Sequence, residues 1–255
     1  MNHSSLQGRV VLITGATSGI GRAAANEFAA AGADLVLTGR SRGRGQDVLN
    51  DVRRSGARCD FVDGDVRDGA FCRQLVRHAV DMFSRLDVLI NNAGIIYRGT
   101  AEETSDDMWA ETMATNVTAV FQLSRAALPH LKRTRGTIVN VASDWGLRAG
   151  ERAAAYCASK GAVVLMTRAM ALDHARDGVR INAVCPGDTD TPMIATEIAQ
   201  RGLDEARARA EHDAAVPLGR IGRPEEIAKL VRFLASDEAS YMTGAAVPID
   251  GGSSA

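Results

Sequence analysis

The fold is decided near the N-terminus by the stretch Val10-Val11-Leu12-Ile13-Thr14-Gly15-Ala16-Thr17-Ser18-Gly19-Ile20-Gly21. Its apolar first half predicts a strand that is buried on both faces, and its second half has the glycine pattern G-x-x-x-G-x-G. Glycine allows a close backbone approach to a pyrophosphate, and a helix that begins near Gly19 offers free N–H groups to it. A plain turn is the alternative. Dinucleotide binding is favoured, through Gly15, Thr17, Ser18, Gly19, Ile20 and Gly21.

Short β-branched runs alternate with amphipathic segments along the rest of the chain, as in βαβ units. Helices are predicted at roughly 19–31, 44–55, 68–84, 105–132, 153–177 and 224–235, and the fourth is expected to bend or divide near Asn116. Right-handed crossovers then give an α/β, doubly wound (Rossmann) fold in one domain, residues 1–255, with a crevice at the carboxyl ends of the strands. The seven-stranded parallel sheet is predicted from Val10-Thr14, Leu35-Thr38, Arg58-Val62, Val88-Asn91, Thr137-Val141, Arg180-Val184 and Val247-Ile249.

The composition excludes several classes of protein. With 255 residues and a net charge of −1, the chain has a core-forming share of apolar residues and no electrostatic case for binding nucleic acid or an anionic membrane. The four cysteines form no metal-ligand pattern, so no metal is expected and the thiols are expected to be reduced. No secretory signal and no long apolar run is visible, which predicts a soluble, cytoplasmic protein. None of the five histidines, including His212, is expected to be functional.

A second cluster of polar residues lies in the middle of the chain. Tyr156-Cys157-Ala158-Ser159-Lys160 follows Ser143 and falls on a predicted helix. Positions i and i+4 share one face of a helix, so Tyr156 and Lys160 are predicted to point into the same space. A nearby ammonium favours the phenolate and is expected to lower the pKa of Tyr156, as an acid/base catalyst requires. Ser143 adds a hydroxyl that could hold a substrate oxygen.

Cofactor choice is read where the second strand ends. The chain has Thr38-Gly39-Arg40-Ser41 there, without the carboxylate that would bind ribose hydroxyls. Arg40 offers a guanidinium fork suited to a 2′-phosphate, with Arg42 and Arg44 close behind. This favours NADP(H). NAD(H) remains possible, because an arginine can also stack on adenine or face water.

Taken together, these motifs resemble the short-chain dehydrogenases/reductases over essentially the whole chain, from Gly8 to Gly252. Besides the glycine loop and the Tyr156/Lys160 pair, the chain carries further motifs in that family's order. They are Asp65-Val66 after the third strand, Asn91-Asn92-Ala93-Gly94 after the fourth, Thr115-Asn116-Val117, Ser143, Pro186-Gly187 through Thr191, and Ile249-Asp250-Gly251-Gly252.

The resemblance implies a catalytic set of Asn116, Ser143, Tyr156 and Lys160. In the family, Tyr156 would exchange a proton with the substrate oxygen that Ser143 holds, and Lys160 would bind the nicotinamide ribose and lower the pKa of Tyr156. Asn116 would hold a water in the proton path. The implied cofactor contacts are Asp65 to adenine, with Val66, then Asn92, Ala93 and Gly94, and Pro186, Gly187, Thr189 and Thr191 beside the nicotinamide. The resemblance also implies a homotetramer.

The substrate is expected to be a small carbonyl or alcohol. Its walls are predicted in 96–98, 144–148 and a lid at about 190–216, where 197–213 is read as a polar helix. Arg98 and Arg148 are expected to be solvated, as is Asp190, whereas Asp188 is harder to assign to solvation. An alcohol dehydrogenase or ketoreductase is favoured. A β-ketoacyl-carrier-protein reductase and a sugar 1-dehydrogenase stay open. A nucleotide-sugar epimerase is disfavoured by the glycine pattern, and a dinucleotide-sensing regulator by the intact catalytic set.

Overall fold

A computed structural model describes residues 6–200, 202 and 204–255. Seven strands are present: β1 (Val10–Thr14), β2 (Asp34–Gly39), β3 (Cys59–Asp63), β4 (Val88–Asn91), β5 (Thr137–Val141), β6 (Arg180–Pro186) and β7 (Ala246–Ile249). The helices are α1 (Gly19–Ala30), α2 (Arg42–Arg54), α3 (Gly69–Phe83), α4 (Asp106–Met113), α5 (Ala119–Thr134), α6 (Ala154–His174), α7 (Pro192–Gln200), α8 (Glu205–Ala215) and α9 (Pro224–Ala235).

All seven strands form one parallel sheet in the order β3-β2-β1-β4-β5-β6-β7. The chain order reverses between β1 and β4, so the loops after these two strands diverge and leave a crevice at their carboxyl ends. The predicted doubly wound α/β fold is therefore confirmed. Strand bounds differ from the prediction by one or two residues at some ends.

Alternation along the buried strands supplies an apolar core on each face of the sheet. In β1, Val11 and Ile13 belong to the cluster with Phe28 of α1, whereas Val10 and Leu12 belong to the cluster with Leu131 of α5. Successive side chains of a strand point to opposite faces, so a fully apolar strand requires helices on both sides.

The predicted division of the helix over 105–132 is confirmed. Between α4 and α5, residues Ala114–Thr118 form one π-helical turn, which contains Asn116. Such single π turns recur at functional sites in proteins. The turn brings the buried Asn116 side chain toward the loop that follows β4.

The prediction of one polar helix over 197–213 is wrong. Two helices, α7 and α8, replace it, and residues 201 and 203 of the predicted lid lie outside the described residues. Ile194 and Ile198 pack on Ala208 and on the partly buried Ile221. For α7 and α8 to make this small apolar contact, the chain must turn between them. The mainly polar composition of the segment did not indicate such a contact.

Candidate active site

The carboxyl ends of the strands border a cleft of about 460 Å³. Most residues that the sequence predicted for the site line it. They are Gly15, Thr17, Ser18, Gly19, Ile20, Arg40, Asp65, Val66, Asn92, Ala93, Gly94, Ser143, Tyr156, Lys160, Pro186, Gly187, Thr189 and Thr191. Gly21 and Asn116 are not among the lining residues and support the cleft from behind it.

The glycine loop is shaped to fit a pyrophosphate. Gly15 has a φ of +64°, and a Cβ atom added there would lie 2.9 Å from Cα of Ala93. At Gly21, an added Cβ would lie 2.3 Å from the carbonyl oxygen of Gly15. The Asn92 amide donates to the carbonyls of Thr14 (2.9 Å) and Gly15 (3.1 Å), so this side chain fixes the loop. The loop therefore lies ready at the N-terminus of α1, where a dinucleotide phosphate would bind.

The end of β2 offers the cations expected for a 2′-phosphate. Gly39, Arg40 and Arg44 all line the cleft, and both arginines are exposed. Glycine at position 39 has a second physical reason, because an added Cβ would lie 2.7 Å from Cγ2 of Thr17. An acidic residue at this position would therefore push against the glycine loop as well as change its charge.

Asp65 is held by a residue that sequence reasoning missed. Arg67 donates to its carboxylate from the backbone N (2.9 Å), Nε (2.8 Å) and a terminal nitrogen (2.6 Å). The side-chain hydrogen bond from Arg67 keeps the pKa of Asp65 below its usual range. Arg67 also lines the cleft and pairs with Glu111 at 2.6 Å. Arg67 therefore holds the Asp65 carboxylate in its ionised form, as a hydrogen-bond acceptor at the position where the family resemblance implies a contact with adenine.

Tyr156 and Ser143 place two hydroxyl groups in the wall of the cleft, 7% and 6% exposed. Burial raises the pKa of Tyr156, and the hydrogen bond with Ser143 lowers it by less. The expectation of a lowered pKa is therefore wrong for the chain itself, because the sequence does not reveal how dry the phenol is. The phenol therefore carries a proton that it can donate, although the raised pKa makes it a weaker acid than general acid catalysis favours.

Lys160 lies near the ring of Tyr156, on the face of α6 that the two residues share. Its Nζ is 5.6 Å from the ring centroid and donates to the carbonyl of Val141 at 2.9 Å. Lys160 is 4% exposed, and burial lowers its pKa to about 8. The remaining N–H groups of a Lys160 ammonium can serve a ligand in the cleft, which Lys160 lines.

Asn116 joins the loop after β4 to the helix that carries Tyr156. Its Oδ1 accepts from the N–H of Ile95 at 2.9 Å, and its Nδ2 donates to the carbonyl of Ile95 (2.9 Å) and to Oγ of Ser159 (3.0 Å). Both amide hydrogens are thus used within the protein. The side chain positions the cleft wall, and the water contact expected from the resemblance stays a prediction.

The turn after β6 is tied to α8. Thr189 is buried and donates to the carbonyl of Gly187 at 2.9 Å. His212 Nδ1 lies 2.6 Å from the Asp188 carboxylate, and Arg209 pairs with Asp190 at 2.8 Å. The dismissal of His212 as unrelated to any motif is wrong, because α8 folds back over this turn. The solvation expected for Asp190 is met only in part, since this half-exposed carboxylate has an ionic partner.

The substrate side of the cleft contains a buried charge pair. Arg98 is 11% exposed, lies 4.9 Å above the ring of Trp145 and pairs with Glu197 at 3.5 Å. The expectation that Arg98 is solvated is therefore wrong. Glu197 is 5% exposed and lines the cleft, and no motif in the sequence indicated it. Arg148 remains partly exposed and pairs with the buried Asp144 at 2.6 Å.

The described residues form neither a metal site nor a membrane-spanning helix. The described residues contain no cluster of His, Cys, Asp or Glu that could hold a metal ion. Within the same ranges, no helix is long and apolar enough to cross a membrane. All four cysteines are free, and burial raises the pKa of Cys59 to about 12 and the pKa values of Cys72 and Cys185 to about 11.

Comparison with known proteins agrees with this geometry. The family model described as enoyl-(acyl carrier protein) reductase matches residues 15–254. Meso-2,3-butanediol dehydrogenase of Serratia marcescens is 42% identical over 247 residues, which cover 97% of this chain and 95% of that protein. The chain belongs to the short-chain dehydrogenases/reductases.

Solved short-chain dehydrogenases/reductases superimpose closely on the chain. Levodione reductase has a TM-score of 0.94 at 36% identity and covers 97% of this chain and 98% of its own. A variant of actinorhodin polyketide ketoreductase with NADPH has a TM-score of 0.93 at 35% identity, with 96% and 97% covered. This member of the short-chain dehydrogenases/reductases is thus an oxidoreductase that acts on CH–OH groups and carbonyls and uses a nicotinamide cofactor.

Proposed function

We propose that this chain is an NADP(H)-preferring alcohol dehydrogenase/carbonyl reductase with Tyr156 as its general acid/base. The observation that carries the proposal is that the nearly buried Tyr156 and Ser143 side chains line the same cleft and that Ser143 influences the pKa of Tyr156. Two neighbouring hydroxyl groups can both reach one substrate oxygen, which then receives one proton and one positioning contact.

NADP(H), when bound, supplies or accepts the hydride, and the residues of the chain manage the proton and the geometry. In reduction, Tyr156 donates its proton to the carbonyl oxygen as hydride adds to the carbon, so that a ketone becomes an alcohol. Ser143 orients that oxygen, and its own hydroxyl is oriented by Asp144 and the N–H of Trp145. Lys160 would bind the nicotinamide ribose, and Asn116 would position the path by which Tyr156 regains a proton.

The preference for NADP(H) rests on charge at the end of β2. Gly39 ends the strand, and Arg40 and Arg44 line the cleft beside it. The Asp65 carboxylate also lines the cleft, but Arg67 balances its charge. A 2′-phosphate would meet net positive charge there. The ketoreductase relative that is described with NADPH supports the same preference. NAD(H) is the alternative.

A two-cofactor substrate panel tests the proposal. Ketones, a β-ketoacyl thioester, secondary alcohols and sugars are offered with NADPH or NADH, or with their oxidised forms, and absorbance at the nicotinamide band is followed. We expect turnover of at least one carbonyl–alcohol pair, faster with the phosphorylated cofactor. Cofactor binding without turnover of any substrate would instead support a dinucleotide-sensing regulator.

The panel also separates the enzyme alternatives. A preference for the thioester would favour a β-ketoacyl-carrier-protein reductase, and a preference for aldoses would favour a sugar 1-dehydrogenase. The relative from Serratia marcescens acts on a small diol, which supports the alcohol dehydrogenase. The proposal therefore predicts a small secondary alcohol or ketone as the best substrate.

Assembly as a homotetramer is part of the proposal. Phe121 of α5 is 45% exposed, and Leu165 and Leu172 of α6 are 67% and 82% exposed, although both helices bury their other faces. A second copy packed on this face would cover the apolar side chains. Light scattering should give four chains for the native protein and fewer for Leu165→Glu. A native monomer would contradict the assembly.

Two further parts of the proposal concern location and closure. We place the chain in the cytoplasm as a single domain, and its free thiols support a reducing compartment. We assign α7 and α8, within 190–216, as the lid over the substrate, because α7 lines the cleft and α8 holds the turn beneath it.

A further inference from the structure

We infer that the cleft selects neutral substrates that carry a second hydroxyl group, and that Glu197 accepts the hydrogen bond from it. This inference rests on the proposed function and specifies its substrate class as diols, hydroxyketones and related polyols. It starts from a buried carboxylate for which the catalytic set has no use.

Glu197 lies in the wall of the cleft with a side chain that is only 7% exposed. Its ionic partner is Arg98, at 3.5 Å, a separation too long for a good hydrogen bond. Moreover, Arg98 Nε and the nitrogen nearest Glu197 make no hydrogen bond within the described residues. The arginine thus balances the charge of the carboxylate without giving it a good hydrogen bond, and the carboxylate can accept one from a donor in the cleft that it lines.

The carboxylate is held in place from two sides. Arg98 is confined by the ring of Trp145, 4.9 Å from its guanidinium carbon. One turn further along α7, Gln200 accepts from the N–H of Arg98 at 3.2 Å and donates to the carbonyl of Ile96 at 3.4 Å. The contacts fasten α7 to the loop after β4. The position of Glu197 in the cleft is therefore fixed before a ligand arrives.

Glu197 and Tyr156 line the same cleft. Trp145 meets the ring of Tyr156 edge to face, with centroids 6.0 Å apart. After burial and the Ser143 hydrogen bond, the charges of Asp144 and Glu197 are the next influences on the pKa of Tyr156, and both raise it. A substrate whose oxygen reaches Tyr156 therefore has its neighbouring atoms within the field of Glu197.

The buried carboxylates at the substrate end of the cleft disfavour substrates that carry a carboxylate group. Asp144 and Glu197 are both buried, and their arginines approach from outside the lining of the cleft. A substrate carboxylate would approach the carboxylate side of each ion pair, whereas a hydroxyl would give Glu197 a hydrogen-bond donor. Ile96, Trp145 and Met193 pack around Tyr156 and suit the carbon skeleton of such a molecule.

The test compares alcohols that differ by one hydroxyl group. We would measure kcat/KM with NADP⁺ for cyclohexane-1,2-diol against cyclohexanol and for 2,3-butanediol against 2-butanol, in the wild type and in Glu197→Gln. The wild type should favour each diol by at least about tenfold. In Glu197→Gln this ratio should fall by about five- to tenfold, because any effect of the lost charge on Tyr156 changes both alcohols of a pair alike.

Two further variants keep the test interpretable. Glu211→Gln changes an exposed glutamate of α8 in the same way and should leave the ratio unchanged. Arg98→Met combined with Glu197→Gln removes the buried arginine charge that the single variant leaves unpaired, and it should lower the ratio as the single variant does. The ratio compares two substrates on one enzyme, so a loss of folded protein cannot imitate the effect.

The possible failures are distinguishable. If the wild type turns over mono-ols as well as diols, or if Glu197→Gln lowers both equally, the inference is wrong and the proposed function stands. If none of the four alcohols and none of their ketones is turned over although NADPH binds, both are overturned.

Discussion

The two ends of the cleft present charged groups in opposite surroundings. At the cofactor end Arg40 and Arg44 are exposed, whereas at the substrate end the carboxylates of Asp144 and Glu197 are buried, each beside an arginine. Exposed cations attract a phosphate through water, and salt weakens this attraction. Buried carboxylates favour substrates that donate a hydrogen bond to them. We therefore expect the accessible charges to attract the cofactor and the buried carboxylates to select the substrate.

The largest effect is expected from removal of the proton donor, Tyr156, which lines the cleft. Tyr156→Phe should lower kcat by about 10²–10⁴-fold, because general acid catalysis is lost, and should leave the Kd for the cofactor within a few fold. Stopped-flow or steady-state turnover and a fluorescence titration check the two halves. A variant that keeps wild-type kcat would show that Tyr156 is only a wall residue.

The cofactor end is tested by Arg40→Ala. Loss of a charge-assisted contact to the 2′-phosphate should weaken NADP(H) binding by about 10–150-fold and change NAD(H) binding little. Arg42→Ala is the matched control, because Arg42 is exposed in the same segment but is not among the residues that line the cleft. Equal losses for both cofactors, or equal effects of the two variants, would contradict the phosphate contact.

Lys160 is expected to reduce stability while it serves function. Burial lowers its pKa from 10.5 to about 8, so the folded chain binds fewer protons than the unfolded chain between these pH values. Its contribution to stability therefore rises as the pH goes from 8 to 10.5, and below pH 8 the buried charge costs on the order of 3 kcal/mol. The hydrogen bond to Val141 returns about 1 kcal/mol.

Lys160→Met should accordingly raise the free energy of unfolding of the cofactor-free chain by about 1–3 kcal/mol at pH 7, by the same accounting. The gain should shrink as the pH approaches 10.5, and turnover should be lost. Urea denaturation at several pH values measures the first effect, with the exposed Lys229→Met as control. A destabilised variant at pH 7 would contradict the cost assigned to burial.

The smallest effect concerns the contact between the turn after β6 and α8. Asp188→Asn should raise KM by a few fold and leave kcat within about twofold, because the contact with His212 holds α8, part of the proposed lid, rather than the reacting atoms. Asp190→Asn removes a more exposed pair with Arg209 and should change KM less. A larger increase in KM for Asp190→Asn than for Asp188→Asn would contradict this ranking of the two pairs.

The sequence predicted the cofactor end better than the substrate end, for a physical reason. Residues of the glycine loop, Asp65 and Asn92 follow parallel strands, and the carboxyl ends of such strands meet along one edge of a sheet. The pairing of Arg98 with Glu197 depends instead on how α7 packs against a distant loop, which no local pattern encodes. The site at the substrate end therefore emerged only from the structure.

The same limit explains the pKa of Tyr156. Helical spacing correctly placed Lys160 on the face of Tyr156, but spacing does not report burial. In the folded chain, burial outweighs the hydrogen bond from Ser143, and the ammonium is directed to the carbonyl of Val141. Helical spacing therefore predicts that Tyr156 and Lys160 share a face, whereas only tertiary packing determines how far each is shielded from water.

The most direct test of the contrast between the two ends is a titration of NADPH and NADH into the wild type at low and high salt. We predict that NADPH binds at least about tenfold more tightly at low ionic strength and that the difference narrows as salt screens Arg40 and Arg44. Equal affinities, or a preference for NADPH that salt does not change, would contradict the claim that accessible cations select the cofactor.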